Sequence, residues 1–230
     1  MLKISNLNYA IGSLTILEEI TLNLGSAQSL FIFGKNGSGK STLLKCISTI
    51  YPTDDGTIEI LNEKPSNRLS YFSALGCFFN ENGFYNYLTV KENFTVFLSY
   101  YNINNQEIAM SIAEYSNLFE LDELLKKRVK HLSSGQKQRA SLALTFMHKP
   151  KMLLFDEPLN NLDAYFIDKF YSILRVYIEQ NGATAIVVNH DILSTPSWVD
   201  KIGLVENKTL VVVENNQTNI QEVYQSIVQK

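Results

Sequence analysis

A glycine-rich segment that ends in lysine, serine and threonine contains the first residues whose types and spacing could do chemistry. It reads GKNGSGKST over residues 34–42 and has the spacing G-x-x-x-x-G-K-[ST]. Glycines let successive backbone N–H groups curl around a phosphate, and a following helix start adds partial positive charge. We therefore expect this segment to bind the phosphates of ATP. The residues expected to contact the nucleotide are Gly34, Asn36, Gly37, Ser38, Gly39, Lys40, Ser41 and Thr42.

Two side chains of this loop have distinct expected roles. The ammonium group of Lys40 can reach the outer phosphates, and the hydroxyl of Ser41 can ligate Mg²⁺. The motif requires a buried strand before it and a helix after it. QSLFIF precedes the loop and KSTLLKCISTI follows it, so both requirements are met. This context favours a phosphate site over an incidental glycine-rich turn.

Two adjacent carboxylates end an apolar segment, MLLFDEP, at residues 152–158. Asp156 comes at the end of the predicted strand, where it can hold Mg²⁺ directly or through water. Neighbouring side chains diverge, so Glu157 points elsewhere and can act as a general base on a water beside the γ-phosphate. Taken alone, the pair also suits a solvated acidic turn. Beside a phosphate loop, the catalytic interpretation is favoured.

His190 directly follows another apolar segment, AIVVN. Open α/β sheets bind their ligands at the carboxyl ends of their strands, so this imidazole can hydrogen-bond a γ-phosphate. The alternative is a structural histidine with its hydrogen bonds satisfied in the core. We predict the catalytic role because of the two motifs described above.

A second predicted helix start, within HLSSGQKQRASLALTF at residues 131–146, also suits an anion. Ser133 is placed to cap the helix, Gly135 permits a close backbone approach, and Gln136 follows in the first turn. One ATP-sized site does not obviously need two such helix starts. Either this segment folds back over the phosphate loop of the same subunit, or two copies stack head to tail and each offers the segment to the other's ATP.

Strands and helices must alternate to position these groups. The pattern predicts strands over residues 2–9, 14–24, 28–33, 57–61, 75–79, 151–155, 183–189, 201–206 and 209–214, and helices over 40–50 and 161–182. Residues 88–148 have helical spacing throughout, with apolar residues at Ile108, Ile112, Tyr115, Leu118 and Phe119. The sequence therefore predicts an α/β fold with a mostly parallel sheet and an inserted helical lobe.

Composition excludes several classes of protein. The 230 residues include 45% hydrophobic and 19% charged residues and carry a net charge of −3, so we expect no nucleic-acid partner. No apolar segment approaches the roughly 20 residues that span a bilayer, and MLKISNLNYA alternates like a strand rather than a signal peptide. Cys46 and Cys77 lack metal-ligand spacing and are expected to be buried free thiols.

Together these motifs resemble, over nearly the whole chain, the nucleotide-binding domain of ABC (ATP-binding cassette) ATPases. GKNGSGKST resembles the Walker A motif of that family, LSSGQ its signature motif, and LLFDEP its Walker B motif with Glu157 as catalytic base. LNNLD resembles the D-loop, with Asp163 as its aspartate, and His190 corresponds to the switch histidine. Tyr9 falls where the family has an aromatic residue that stacks on adenine.

The resemblance implies one ABC ATPase domain over residues 1–230. Its core would be of the P-loop NTPase type, with a mostly parallel sheet and an N-terminal antiparallel β subdomain, over about 1–79 and 149–230. An α-helical lobe would occupy about 84–148. It also implies a head-to-tail dimer with two ATP molecules and Mg²⁺, each ATP lying between the Walker A motif of one subunit and the signature of the other. The partner is a second copy or a paralogous ATPase subunit.

Two positions depart from the family pattern. The family usually has Gln, sometimes Glu, near the end of the strand predicted at 75–79, and this sequence has Asn80 there. The resemblance gives Asn80 contacts with the nucleotide and Mg²⁺, although its side chain is one methylene shorter, and Glu81 is the alternative residue for that role. Ser134 replaces the usual first glycine of the signature, a substitution that the family tolerates.

The leading functional interpretation is the ATPase subunit of a transporter, working through a separate integral membrane subunit at the cytoplasmic, inner face of the cell membrane. The short chain resembles ATPase subunits of bacterial exporters, so export is expected. A soluble ABC ATPase in translation or DNA repair is the alternative, although such proteins usually carry two cassettes or a long insertion. A small-molecule kinase or GTPase would leave LSSGQ unexplained.

Overall fold

Two β-sheets and six α-helices are found in the part of the chain that the computed structural model describes, namely residues 1–54, 57–79, 83–193, 195–216 and 225. Asn80 and Glu81, which were considered as nucleotide contacts, lie outside these residues. The strands are β1 (Leu2–Ile11), β2 (Leu14–Leu24), β3 (Ser29–Phe33), β4 (Ile58–Ile60), β5 (Leu75–Phe78), β6 (Met152–Asp156), β7 (Thr184–Val188), β8 (Lys201–Glu206) and β9 (Thr209–Glu214). The helices are α1 (Lys40–Ile47), α2 (Arg68–Ser73), α3 (Val90–Leu98), α4 (Asn105–Leu118), α5 (Ser134–Met147) and α6 (Ala164–Asn181).

The larger sheet has six strands in the order β5-β6-β7-β3-β8-β9. All neighbours are parallel except β8 and β9, which form an antiparallel hairpin. Its central strands β3, β6 and β7 are buried along their whole length, as their continuous apolar sequences indicate. The predicted mostly parallel α/β sheet is therefore confirmed.

The smaller sheet is antiparallel, in the order β2-β1-β4. Leu2 and Ile4 of β1 turn inward as alternate residues do, and Leu7 does so after a register shift; all three pack in a core with Leu43 and Leu44 of α1. This packing fixes α1 against the small sheet, and with it the loop that precedes α1.

Capping boxes begin the three helices between residues 83 and 148. Thr89 and Glu92 cap α3, and Asn104 and Glu107 cap α4, each pair with reciprocal side-chain-to-backbone hydrogen bonds. Helix α5 starts in the same way at Ser133. These three helices pack on one another, and α5 also packs against edge strand β5, so the group of helices is attached to the larger sheet.

Two helices are shorter than the sequence predicts. Helix α1 ends at Ile47 rather than at residue 50, since Thr49 takes a left-handed conformation with φ 61° that stops the helix. Helix α6 begins at Ala164 because the side chain of Asp163 caps it, and it ends where Gly182 turns left-handed with φ 59°. The six-residue α2 was not predicted, and its N-cap residue Asn67 makes no side-chain cap.

Two burial predictions were wrong in part. Cys46 is buried, but Cys77 is exposed, because it lies on edge strand β5 with its side chain outside the core. Leu118, predicted on the apolar face of its helix, is 37% exposed at the C-terminal end of α4. The predicted apolar face of α6 is buried as expected; it consists of Phe166, Phe170, Ile173, Leu174 and Tyr177.

Among the described residues, no helix combines the length and the apolar composition that crossing a membrane requires.

Candidate active site

The glycine-rich loop joins β3 to α1 and has the backbone conformation that its glycines permit. Gly34, Gly37 and Gly39 have φ values of 147°, 78° and 109°, which other residues rarely adopt. A Cβ atom on Gly34 would lie 2.5 Å from the carbonyl oxygen of Val205. The loop therefore curls tightly, with α1 starting directly behind it, as a phosphate cradle requires.

Lys40 is folded into this loop. Its ammonium group donates hydrogen bonds to the carbonyl oxygens of Gly34 at 2.8 Å and Lys35 at 2.9 Å, and the residue is only 5% exposed. Burial lowers the pKa of Lys40, while the carboxylates of Glu157 and Asp156 act in the opposite direction. The loop thus holds a cation whose neighbours are carbonyl oxygens and two carboxylates.

Ser41 and Asp156, the two predicted Mg²⁺ ligands, form a direct pair. The Ser41 hydroxyl donates to Oδ1 of Asp156 at 2.9 Å, which joins the start of α1 to the end of β6. Burial raises the pKa of Asp156, and the hydrogen bond from Ser41 works against that shift. Hydroxyl and carboxylate oxygens are ligands that Mg²⁺ prefers. In addition, the buried Ser38 hydroxyl has no hydrogen-bond partner among the described residues. The residues present therefore fit a phosphate with its Mg²⁺.

Glu157 and His190 are brought together. Nε2 of His190 lies 2.6 Å from Oε1 of Glu157, and the other carboxylate oxygen accepts a hydrogen bond from Nδ2 of Asn160 at 3.1 Å. Glu157 has φ 51°, a left-handed conformation that is uncommon for residues other than glycine. The two adjacent carboxylates have different partners, since Asp156 bonds Ser41 whereas Glu157 contacts His190 and Asn160.

The register of the parallel sheet explains why these residues meet. Val188 of β7 pairs with Asp156 of β6 on one side and with Ile32 of β3 on the other. Glu157 comes one residue after the first of these strand ends, His190 comes two residues after Val188, and the glycine-rich loop begins two residues after Ile32. All three groups consequently lie at the carboxyl edge of adjacent strands, the place where α/β sheets bind ligands.

Ser133 and Gln136 form the capping box of α5. The Ser133 hydroxyl accepts from the backbone N–H of Gln136 at 3.2 Å, and the Gln136 side chain accepts from the N–H of Ser133 at 3.0 Å. Ser133 is exposed at the helix start. Within the described residues, no hydrogen bond joins this segment to the glycine-rich loop of the same chain. The single chain therefore gives no support to a folded-back site.

Gly135 makes a close contact inside the subunit. A Cβ atom at this position would lie 2.9 Å from the backbone oxygen of Asn161, in the LNNLD segment. The close approach that the sequence suggested is therefore made to a neighbouring loop of the same chain. Asp163, at the end of LNNLD, caps α6 by accepting from the N–H of Phe166 at 2.8 Å. Both predicted residues thus have structural contacts in the subunit.

Tyr9, near the end of β1, stacks on a second aromatic ring. Its ring lies parallel to that of Tyr51, at 3° and 5.2 Å between centroids. The Lys45 ammonium lies 5.5 Å from the Tyr51 ring. One face of Tyr9 is therefore covered by protein, which holds the ring in a fixed orientation.

The sequence of this chain matches one known protein family over most of its length. The sequence profile of the family described as ABC transporter matches residues 17–160, more than half of the chain. The chain belongs to the ABC transporter family. The resemblance drawn from the motifs is therefore confirmed.

Two curated relatives of this ABC family member are ATP-binding proteins. It is 31% identical over 215 residues to the lactose transport ATP-binding protein LacK of Rhizobium radiobacter, a match that covers 89% of this chain and 58% of LacK. It is 29% identical over 203 residues to the maltose/maltodextrin import ATP-binding protein MalK of Vibrio vulnificus, covering 88% of this chain and 55% of MalK. The chain thus spans little more than half the length of these relatives.

A solved structure shares the fold of this ABC family member. It is described as the dimeric structure of a post-hydrolysis state of the ATP-binding cassette MJ0796 bound to ADP and Pi. The two chains superpose with a TM-score of 0.82 at 25% identity, over 93% of this chain and 98% of the other. The fold is that of the family's ATPase domains.

Three residues of this candidate site were not identified from the sequence of this ABC family member. Asn160 bonds the expected base, Tyr51 stacks on Tyr9, and Gln138 contacts the loop after Glu157. Asn160 could have been found, because it lies within LNNLD, three residues after Glu157. The other two contacts join residues of different elements, and no spacing in the sequence marks them.

Proposed function

We propose that this chain binds ATP with Mg²⁺ and hydrolyses it to drive transport through a separate membrane subunit. The observation that carries the proposal is the pairing of Glu157 with His190 beside the pairing of Ser41 with Asp156, at one edge of the sheet. A base with its orienting partner lies next to a metal-binding pair and a phosphate loop. Few functions other than nucleotide hydrolysis use this combination.

Binding is assigned to the glycine-rich loop and α1. The curled backbone and the helix start present N–H groups to phosphate oxygens, and Lys40 supplies the positive charge. Ser41 and Asp156 would hold Mg²⁺, which when bound neutralises charge on the phosphates. Tyr9 offers its uncovered face to the adenine, braced from behind by Tyr51.

Hydrolysis is assigned to Glu157, which takes a proton from the attacking water. General-base catalysis of this kind contributes about 10²- to 10⁴-fold. His190 and Asn160 hold the two oxygens of the carboxylate, so the base has a fixed direction before the water arrives. Asn80 is proposed as a further contact to the nucleotide and Mg²⁺, from its place in the sequence alone.

We assign the α5 start to the ATP of a second subunit, in a head-to-tail pair. Ser133 is exposed, and Gln136 is half-buried beside it. The LNNLD segment, which ends at Asp163, packs against the same helix start and would also face the partner. The dimeric state of the ATP-binding cassette described above supports this arrangement. The second subunit is another copy or a paralogous ATPase subunit.

A groove beside the helical lobe suits the membrane subunit. It is a cavity of about 290 Å³ with aromatic walls, between β5 and helices α3 and α5. Tyr100 stands at its edge with 72% of its surface exposed. An exposed aromatic edge of this kind fits an apolar segment of a protein partner. We place the chain at the cytoplasmic face of the membrane, bound through this groove.

The relatives do not support the export direction expected from the sequence. MalK is named an import protein, and LacK is named for lactose transport without a direction. We therefore propose ATP-driven transport and leave the direction to experiment. No feature of the described residues favours a translation or DNA-repair ATPase.

Affinity purification from detergent-solubilised cells tests the proposal. The wild-type chain should retain an integral membrane protein, and its ATPase activity should rise in that complex. Tyr100→Glu places a charge at the groove edge and should lose the membrane protein, whereas Val211→Glu is the matched control. Val211 is also exposed, at 56%, and lies on β9, at the opposite edge of the sheet from β5. Retention of ribosomes instead of a membrane protein would contradict the transport role.

A further inference from the structure

The start of α5 and the loop after Glu157 are tied together inside one subunit. Nε2 of Gln138 donates a hydrogen bond of 2.9 Å to the carbonyl oxygen of Pro158. Gln138 is only 2% exposed, and Pro158 is also buried. This carbonyl belongs to the residue directly after Glu157. A shift of the α5 start therefore acts on the backbone that carries the base.

A backbone contact lies beside this hydrogen bond. Gly135 is so close to the carbonyl oxygen of Asn161 that a Cβ atom would lie 2.9 Å from it. The first turn of α5 and the loop between Glu157 and Asp163 thus touch without intervening side chains. Such a contact transmits small displacements, because close-packed backbones have no slack.

Glu120 joins α5 to α6, the helix that follows this loop. It accepts hydrogen bonds from the hydroxyl of Tyr165 at 2.9 Å, from Nζ of Lys169 at 2.6 Å and from Nη1 of Arg139 at 3.3 Å. The hydrogen bonds from Lys169 and Tyr165 hold the pKa of Glu120 below its usual range. The Arg139 guanidinium also lies 5.1 Å from the centre of the Phe166 ring. One carboxylate therefore joins the first two turns of α5 to the first two turns of α6.

We propose that Gln138 is a positioning residue that couples the two ATP sites of the dimer, with Glu120 as its supporting brace. The inference rests on the head-to-tail pairing proposed above. In that pairing the start of α5 contacts the partner's ATP, while Glu157 acts on the subunit's own ATP. Gln138 links the two through the Pro158 carbonyl. When the start of α5 closes on the partner's ATP, this link therefore positions Glu157 to act on the subunit's own ATP.

This link has a measurable consequence. Because occupation of one site assists hydrolysis at the other, turnover should rise cooperatively with ATP concentration. Loss of the Gln138–Pro158 hydrogen bond should leave ATP binding to the single subunit unchanged, because the phosphate loop takes no part in that bond. Loss of the link should lower the turnover number and the cooperativity together. A residue that only supports the fold would reduce stability without this pattern.

Gln138→Met tests the link directly. Methionine has a similar length but no donor, so the Pro158 carbonyl loses its partner. Thr145→Val is the matched control. Thr145 is a buried polar residue on the same helix, and its hydroxyl donates to the carbonyl of Ser141, one turn away, rather than to the loop after Glu157. We expect ATP affinity of the Gln138→Met monomer within about twofold of wild type, a kcat lower by roughly 10- to 100-fold, and a Hill coefficient near 1. The control should match wild type in all three.

A second variant keeps the proposal testable if Gln138→Met does not fold. Glu120→Gln weakens the brace at a partly exposed position, and Glu179→Gln is its control. Glu179 also forms an ion pair on α6, with Arg175, but farther from the helix start. We expect Glu120→Gln to lower the Hill coefficient and kcat, and Glu179→Gln to change neither.

Each outcome has a distinct meaning. Cooperative turnover by wild type, unchanged in the folded Gln138 and Glu120 variants, would overturn the inference alone. Non-cooperative turnover by wild type would also overturn it, because no coupling would exist to be carried. A wild-type chain that neither binds nor hydrolyses ATP would contradict the proposed function itself. Reduced kcat and cooperativity with intact monomer binding would support the link.

Discussion

Nε2 of His190 lies 2.6 Å from Oε1 of Glu157, although the two residues are separated by a complete helix and strand along the chain. The backbone supports this approach, because the N–H of Glu157 donates to the carbonyl of Val188 at 3.1 Å. Strand register thus fixes both residues at the same sheet edge. The histidine orients the carboxylate, and Asn160 holds its second oxygen.

Lys40→Ala should remove most ATP binding. Its ammonium group is the main positive charge of the loop, and each charge-assisted hydrogen bond is worth about 1.5–3 kcal/mol, so we expect a loss of on the order of 100-fold in affinity. Lys35→Ala is the control, since Lys35 is exposed and accepts from Lys40 only through its backbone carbonyl. Titration with labelled ATP measures both. Near-normal binding by Lys40→Ala would overturn the assignment of the phosphate loop.

Tyr9→Ala should weaken ATP binding while leaving the affinity for inorganic triphosphate unchanged. Stacking of a base on an aromatic side chain is worth about 1–3 kcal/mol, so we expect a loss of roughly 5- to 150-fold for ATP. Tyr9→Phe keeps the ring and its stacking on Tyr51, and should bind ATP normally. Competition titrations with the two ligands separate base from phosphate contributions. Equal ATP affinity for Tyr9→Ala and wild type would show that Tyr9 does not contact adenine.

Ser133→Arg should abolish hydrolysis and leave ATP binding to the monomer nearly intact. A bulky cation at the exposed start of α5 blocks closure on a partner without touching the subunit's own phosphate loop. The substitution also removes the cap to Gln136, so Ser133→Ala serves as control. Loss of this cap costs about 1 kcal/mol of stability, and Ser133→Ala should retain more activity than Ser133→Arg. Parallel loss of monomer binding in Ser133→Arg would favour a folded-back site.

His148 should make the fold sensitive to acid. Nε2 of His148 donates to the Leu75 carbonyl at 2.7 Å, and the ring stacks on Tyr101 at 4.0 Å. Burial lowers the pKa of His148 from 6.5 to about 4. Between these values the unfolded chain binds a proton that the folded chain does not. The contribution of His148 to the free energy of unfolding is therefore fully present above pH 6.5, and about 3 kcal/mol of it is lost as the pH falls to 4.

His148→Gln isolates this effect. Glutamine keeps an N–H donor for the Leu75 carbonyl but does not titrate. Denaturant unfolding at several pH values from 7 to 4 gives the free energy of unfolding of both proteins. The free energy of unfolding of wild type minus that of the variant should fall by about 3 kcal/mol from pH 7 to pH 4. A difference that stays constant with pH would mean that His148 is not held neutral in the fold.

The motifs and the positions of most strands were predictable from the sequence because each is set by local residues. A buried strand followed by GKNGSGKST or by DEP places its functional residue at a strand end, and parallel strands share that edge. Helix boundaries were less predictable, since a β-branched residue such as Thr49 gives no sequence signal for the left-handed turn that it makes. The exposure of Cys77 depends on β5 being an edge strand, which apolar composition does not reveal.

The contacts that join the helix starts were not predictable. Glu120 meets Arg139, Tyr165 and Lys169, which lie 19, 45 and 49 positions away. Their charges alone suit a solvated surface equally well. Only the tertiary fold, which brings the chain after α4 next to the starts of α5 and α6, places the four side chains together.

Glu157→Gln tests the catalytic assignment most directly. Glutamine keeps the shape of the side chain and an acceptor for His190, but it does not take a proton from water. We therefore expect hydrolysis to fall by about 10²- to 10⁴-fold. The variant also lacks a negative charge beside the γ-phosphate, so ATP should be bound and not consumed. Two subunits joined by two unhydrolysed ATP molecules should elute as a dimer in sizing chromatography, and ADP should not produce this shift.

Asp156→Asn is the contrasting variant, because Asp156 bonds Ser41 at the predicted metal position rather than His190. Weaker metal binding should reduce both hydrolysis and the ATP-driven dimer. Elution volumes with ATP, with ADP and without nucleotide, at matched protein concentration, distinguish the two variants. A Glu157→Gln protein that stays monomeric in saturating ATP would show that the isolated subunit does not close unaided. If it also hydrolysed ATP at the wild-type rate, Glu157 would not be the base, and the 2.6 Å contact with His190 would be structural.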